Sequence, residues 1–205
     1  MKNRIVTLLV VITGMVLVTA CDDSDDAPPP APVKVFATAD SYDGNFVGAG
    51  GAFPTGLDGA DDACTTAATN AGLTGTWTAW LSDGVNGINA ADRIFTGGRP
   101  YELVNGTVIA ANFTDLTDGM LNHPISIDES GNALPKEFST WTATTVDGLA
   151  DSSLGSCQGW TTNDAAQRGR IGYADQTDAR WTDAGGGNTC NLFNRLYCFA
   201  DAVSP

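Results

Sequence analysis

The 205-residue chain is poor in positive charge, with 10 Lys+Arg against 24 Asp+Glu, and His123 is its one histidine. A formal charge of −14 and an isoelectric point near 4.1 argue against nucleic acid, heparin-like chains and anionic bilayers as partners, because each would meet repulsion instead of counterion release. A single imidazole leaves triad chemistry poorly provided for, since a base must sit within hydrogen-bond reach of its nucleophile. No C-x-x-C spacing occurs, which weakens a zinc-site reading of the cysteines. The uncharged run from Ile5 to Ala20 has 16 residues, short of the about 20 that a spanning helix requires. What is present suffices for one ordinary domain plus appendages: 42% apolar and 17% charged residues lie outside the disordered regime.

The first twenty residues read as an address. Lys2 and Arg4 precede the apolar run, and Val18-Thr19-Ala20-Cys21 ends it. That tetrapeptide resembles the lipobox of bacterial lipoproteins, in which the chain is cleaved before the cysteine and the thiol acylated; Cys21 is then the lipidated N-terminus. Acyl chains contribute about 0.8 kcal/mol per buried CH₂, enough for two or three to anchor a protein without a spanning helix. Residues 21–33 read as a tether, because the stretch from Asp22 to Pro32 holds four acids, four prolines and no large apolar side chain. Loss of residues 1–20 leaves 8 basic against 24 acidic residues, a formal charge of −16. The expected location is the cell envelope, lipid-anchored at the outer surface or a periplasmic face and not cytoplasmic.

With Cys21 assigned to lipid, Cys64, Cys157, Cys190 and Cys198 remain, and an even count in an exported chain reads as two disulfides. Three pairings are open. Loop-closure entropy mildly favours the nested pair of bridges, whereas Cys190 with Cys198 would staple only a local hairpin.

Residues 34–205 form the expected domain. Val33 to Ala37 reads as a first strand, and Tyr42 to Gly59 as a loop rich in Gly, Asp and Asn. Asp58 is expected to cap a helix with Asp61 and Asp62 in its first turn, and Gly72 to stop it; the apolar stripe Ala60, Ala63, Cys64, Ala67, Ala68 and Ala71 is nearly all alanine, so this helix must approach its neighbour closely. Thr76 to Leu81 alternates as a strand with Trp77, Ala79 and Leu81 on one side. Tyr101 to Ile109 reads as a hairpin with Asn105-Gly106 in a type I′ turn. Further strands are expected around Trp141 and from Leu192 to Phe199, with a polar, glycine-rich and aperiodic stretch from Gly148 to Gly187.

Several stretches resemble a known domain in order: Gly59-Ala60-Asp61-Asp62-Ala63-Cys64, Ala71 to Ser82, Trp141-Thr142-Ala143 with Asp147-Gly148, Cys157-Gln158-Gly159-Trp160, Gly169-Arg170-Ile171-Gly172, Cys190 and Leu196-Tyr197-Cys198-Phe199. They are similar to endostatin, the C-terminal domain of collagens XV and XVIII, and more specifically to a bacterial secreted domain related to it. The resemblance implies an α+β, C-type-lectin-like single domain: a mixed twisted sheet, a flanking helix, long loops, and the disulfides Cys64–Cys198 and Cys157–Cys190. Endostatin's histidine cluster and heparin-binding arginines are not matched. Nor are the calcium-lectin tripeptides, although Trp181-Thr182-Asp183 is similar to Trp-Asn-Asp.

The expected function is non-enzymatic binding of a glycan or protein ligand by a lipid-anchored envelope domain, through Trp160, Asp164, Trp181 and Asp183 in the long-loop region. The alternatives are an envelope structural or assembly protein without a small ligand, and a glycoside hydrolase using an acidic pair. No cofactor is implied; calcium is the one ion the loops could take, at Asp83, Asn86, Asn89 and Asp92 or at Asp175, Asp178 and Asp183, although neither set has EF-hand spacing.

Overall fold

The computed structural model describes residues 31–201 apart from positions 49, 95, 96 and 137; the expected leader, Cys21 and most of the expected tether lie outside the described residues. The architecture is α+β with few helices and two sheets. Five strands form a mixed sheet in the order β2-β8-β1-β3-β4, comprising β1 (Val33–Ala37), β2 (Trp77–Ala79), β3 (Tyr101–Leu103), β4 (Val108–Ala110) and β8 (Tyr197–Ala200). Only β1 and β3 are parallel; β8 lies between β1 and β2 and runs against both. A second, antiparallel sheet joins β5 (Ser139–Trp141), β6 (Arg168–Tyr173) and β7 (Gly187–Thr189). Trp141 N–H donates to Arg195 O at 2.9 Å and Arg195 N–H to Ser139 O at 3.1 Å, tying β5 to the chain just ahead of β8.

Both faces of the five-stranded sheet are buried, so each strand's period of two feeds two cores. Val33, Val35, Ala37, Trp80, Tyr101, Tyr197 and Phe199 face one core. Phe36, Trp77, Ala79, Leu81, Leu196 and Cys198 face the other, where they meet helix α1 (Gly56–Asn70). The expected alignment of Trp77, Ala79 and Leu81 is therefore realised, with Trp80 turned to the opposite side.

Helix α1 begins three residues earlier than Asp58 suggests. Thr55 is the N-cap and Asp58 occupies N3: the Thr55 hydroxyl accepts from Asp58 N–H at 3.1 Å while the Asp58 carboxylate accepts from Thr55 N–H at 3.1 Å. This is a capping box, whose acidic partner is easily mistaken for the cap itself. Asp61 consequently lies beyond the first turn, where it accepts from Ala79 N–H at 2.9 Å and, through both carboxylate oxygens, from Arg93 Nη2–H at 2.6 Å. Thr65 Oγ1 accepts from Trp77 N–H at 3.0 Å. The outer edge of β2 is thus satisfied by side chains of α1.

The alanine stripe does permit close approach. Ala60, Cys64 and Ala68 have no exposed surface, and a Cβ on Gly59 would fall inside the carbonyl group of Phe46. Because that neighbour is backbone, Gly59→Ala is expected to lower stability by about 1–3 kcal/mol through overpacking. A lower urea midpoint at constant m would show this; an unchanged midpoint would contradict the contact.

Two further details depart from the sequence reading. The Tyr101–Ala110 hairpin closes through three residues: Gly106 N–H donates to Leu103 O and Leu103 N–H to Thr107 O, both at 2.8 Å, and Gly106 alone has positive φ (+90°). This is a type I turn with a glycine bulge in place of type I′, which needs positive φ at two successive residues. The stretch expected to be aperiodic holds β6, the longest strand of the second sheet. Among the described residues no helix is long and apolar enough to cross a membrane.

Candidate functional site

The four cysteines pair as Cys64–Cys198 and Cys157–Cys190, with Cα atoms 5.5 and 5.6 Å apart. The first joins α1 to β8. The second holds one turn of left-handed helix, Cys157–Trp160, whose φ angles are +48°, +54°, +71° and +64°. Trp160 N–H donates to Ser156 O at 2.7 Å and Thr161 N–H to Cys157 O at 3.1 Å, the spacing of an α-turn with reversed hand. Non-glycine residues adopt this conformation at a cost of about 1–2 kcal/mol each. Surrounding contacts hold it: Trp160 Nε1–H donates to Ser82 O at 2.8 Å, and the Trp160 carbonyl accepts from Phe46 N–H at 2.9 Å.

These anchors explain a correction. Trp160 and Trp181, expected to face a ligand from loops, have no exposed surface. Trp160 packs against Phe46 and Trp141 in the α1-side core, whereas Trp181 packs against Trp80 and Tyr197 in the other core. Burying a large ring outweighs the solvent exposure that glycine-rich flanks suggest. Asp164 is exposed, in a turn where it accepts from Ala166 N–H at 2.8 Å. Asp183 pairs with Arg170, whose Nε also lies 2.8 Å from Asp151 Oδ2, off the line of a good hydrogen bond. The four expected contact residues therefore do not form one site.

The acidic sets considered for calcium are engaged by protein donors. Asp83 is 2% exposed and accepts from Val85 N–H at 2.8 Å and Asn86 Nδ2–H at 2.6 Å. Asn89 Nδ2–H donates to Asp92 at 2.8 Å. Asp178 is held by Arg180, and no group of three metal-ligating side chains is found among the described residues. His123 is exposed, its Nδ1–H donating to Val108 O at 3.0 Å.

The structure instead assembles a recess of about 420 Å³ at the end of β6, lined by Tyr173, Asp175, Gln176 and Arg180. A turn closed by Gln176 N–H donating to Tyr173 O at 3.2 Å places the first three, and the short 3₁₀ turn Ala179–Trp181 presents Arg180. Arg180 Nη2–H donates to Gln176 Oε1 at 2.6 Å and to Asp178 Oδ2 at 2.8 Å, and Gln176 Nε2–H donates to Asp175 Oδ1 at 3.0 Å. The Arg180 hydrogen bond holds the Asp178 carboxyl below its usual range, and the same bond raises the guanidinium. Arg180 is thus a positioned fork with its charge offset, beside a Tyr173 side chain that is 36% exposed. Behind it, Tyr197 Oη–H donates to Trp181 O at 2.9 Å and Leu121 N–H to Thr177 O at 2.7 Å, fixing the frame.

Sequence alone does not point to Tyr173, Gln176 and Arg180, because Gly169 and Gly172 break the pattern of β6, which ends at Tyr173, and the other two lie in the turns that follow it. The available signal was the heptapeptide Arg168 to Ala174, in which Ile171 and Tyr173 share a side. No protein-family model matches the chain, and no curated protein matches it in sequence.

Proposed function

We propose that the protein is a non-catalytic recognition domain, held on the envelope by lipid at Cys21, that binds an extracellular or envelope glycan in the Tyr173–Arg180 recess. The observation carrying this reading is the recess itself: an exposed ring set among a carboxylate, an amide and a guanidinium already oriented by one another. Such a set offers a face for a pyranose and both donors and acceptors for its hydroxyls. Because Arg180 is already paired with Asp178, a neutral saccharide suits the site better than an anionic one. The nested disulfides are at home in an oxidising compartment. The five-stranded mixed sheet, its flanking helix and the loops between β5 and β8 agree with a C-type-lectin-like, endostatin-related domain.

Protein purified from membranes is expected to bind saccharides on a glycan array, and Tyr173→Ala to weaken the best binder about tenfold, the equivalent of about 1.4 kcal/mol. Full binding by Tyr173→Ala and Arg180→Met would place the ligand elsewhere. Turnover of a polysaccharide would replace the binding reading with a hydrolytic one.

A further inference from the structure

We propose that the end of the five-stranded sheet opposite the chain's entry is a docking surface for a basic protein partner with an apolar recess. The topology sets the geometry. Strands β1 and β2 both run against β8, so residues 38–46 and 82–89 leave the sheet at the end where residues 192–194 enter it. The chain enters β1 at Val33 and leaves at Asp201 on the other end, where Val33 N–H donates to Pro100 O and Asp201 N–H to Thr76 O.

Exposed apolar side chains concentrate at the far end. Of the eight large ones exposed among the described residues, Leu192 (46%) and Phe193 (67%) lie just before β8, and Val85 (66%) and Ile88 (36%) lie just after β2. Leu149 joins the latter pair, because Ala150 N–H donates to Asn89 Oδ1 at 2.9 Å. The Leu192-Phe193 tip is rigidly held. Cys190 on one side is bridged to Cys157, and Asn194 on the other exchanges two backbone hydrogen bonds with Tyr42, at 2.8 and 2.9 Å. A preorganised apolar tip loses little entropy on binding and is costly to leave in water.

The surrounding charge selects the partner. Asp40, Asp43 and Glu129 border the Tyr42 segment that carries the tip; Glu129 accepts from Ala39 N–H at 2.8 Å. Burial first, and then Asp40 and Glu129, push the Tyr42 phenol up to about 12. Asp164 is exposed on the adjoining segment, which Thr161 bridges to Asn45. The neighbouring cations, Arg168 and Arg195, donate to the backbone carbonyls of Gly187, Thr38 and Ala39. The rim is net acidic, so it attracts a basic surface and repels an anionic bilayer.

The probe is an amphipathic peptide of alternating lysine and leucine faces, titrated against the full-length protein, with a glutamate–leucine peptide of equal hydrophobicity as comparison. The lysine peptide is expected to bind, to weaken at least tenfold with Phe193→Ser, and to weaken further as ionic strength rises from about 0.05 to about 0.5 M. Val108→Ser, which removes an exposed apolar side chain on β4, should leave it unchanged. Equal binding of both peptides, no binding of the lysine peptide, or binding indifferent to the double change Phe193→Ser, Val85→Ser would overturn the proposal. So would attachment to zwitterionic vesicles that depends on Phe193, which would assign the tip to lipid.

Discussion

Replacing Cys64 and Cys198 by serine is expected to lower the unfolding free energy by about 5 kcal/mol, more than removal of the Cys157–Cys190 bridge. The bridge closes a separation of 134 residues, against 33 for Cys157–Cys190, and loop-closure entropy grows with the logarithm of that length. The same relation gives about 4 kcal/mol for the shorter bridge. A domain of this size holds about 5–15 kcal/mol in all, so a protein lacking both bridges should be largely unfolded at 37 °C. The longer bridge has a second role, since Cys64 and Cys198 are fully buried where the alanine face of α1 meets β8. Chemical denaturation of the two double-serine variants would test the order. Equal losses, or a larger loss for Cys157/Cys190, would show that native packing and not chain closure sets the effect.

The second large effect is expected at Arg170. Its side chain is 10% exposed and faces Asp151, itself 8% exposed, and Asp183. Arg170→Met would strand Asp151 as a buried charge, a loss of about 3–5 kcal/mol at neutral pH. The pH dependence identifies the cause. Burial raises the Asp151 carboxyl, but Arg170, the Leu154 and Ser153 N–H groups and the Ser153 hydroxyl together pull it well below its usual range. A folded value below the unfolded one gives stability that is present above the ordinary carboxylate pKa of about 4 and lost as pH falls through and below it. In Arg170→Met the burial effect is no longer opposed by the guanidinium, so protonation relieves the variant. The gap between the two proteins should narrow between about pH 7 and about pH 3. A gap of constant size would mean that lost packing, not the stranded carboxylate, is responsible.

Much of the fold was legible because local periodicity and burial agreed. Val33–Ala37, the alanine helix, the alternation through Trp77 and Leu81 and the hairpin near Gly106 each carry their own signal. Strand β6 did not, because Gly169 and Gly172 interrupt its apolar pattern. The structure shows what these glycines do: a Cβ at 169 would lie 3.0 Å from Cys157 Sγ and 3.1 Å from the Trp141 ring, and one at 172 would collide with the Trp181 carbonyl. Residues chosen for close packing read, in a sequence, as residues chosen for flexibility.

The site was less legible for the same reason. The left-handed turn that buries Trp160 depends on Ser82 and Phe46, more than seventy and a hundred positions away in sequence, and nothing within Cys157–Trp160 announces it. The acids were visible, but which of them meet a guanidinium was not. Asp178 and Asp183 looked alike in sequence, yet one steadies the recess through Arg180 and the other belongs to the Arg170 ion pair.

The seal that α1 places along β2 has a consequence for crowded molecules. With Asp61 and Thr65 occupying the N–H groups of that rim, two copies cannot extend each other's sheet through β2. At the opposite margin, β4, the Ile109 carbonyl accepts from Asn122 N–H at 2.9 Å and the Val108 carbonyl from His123 at 3.0 Å, so ribbon-like polymerisation there would first have to displace the chain's own segment 122–123.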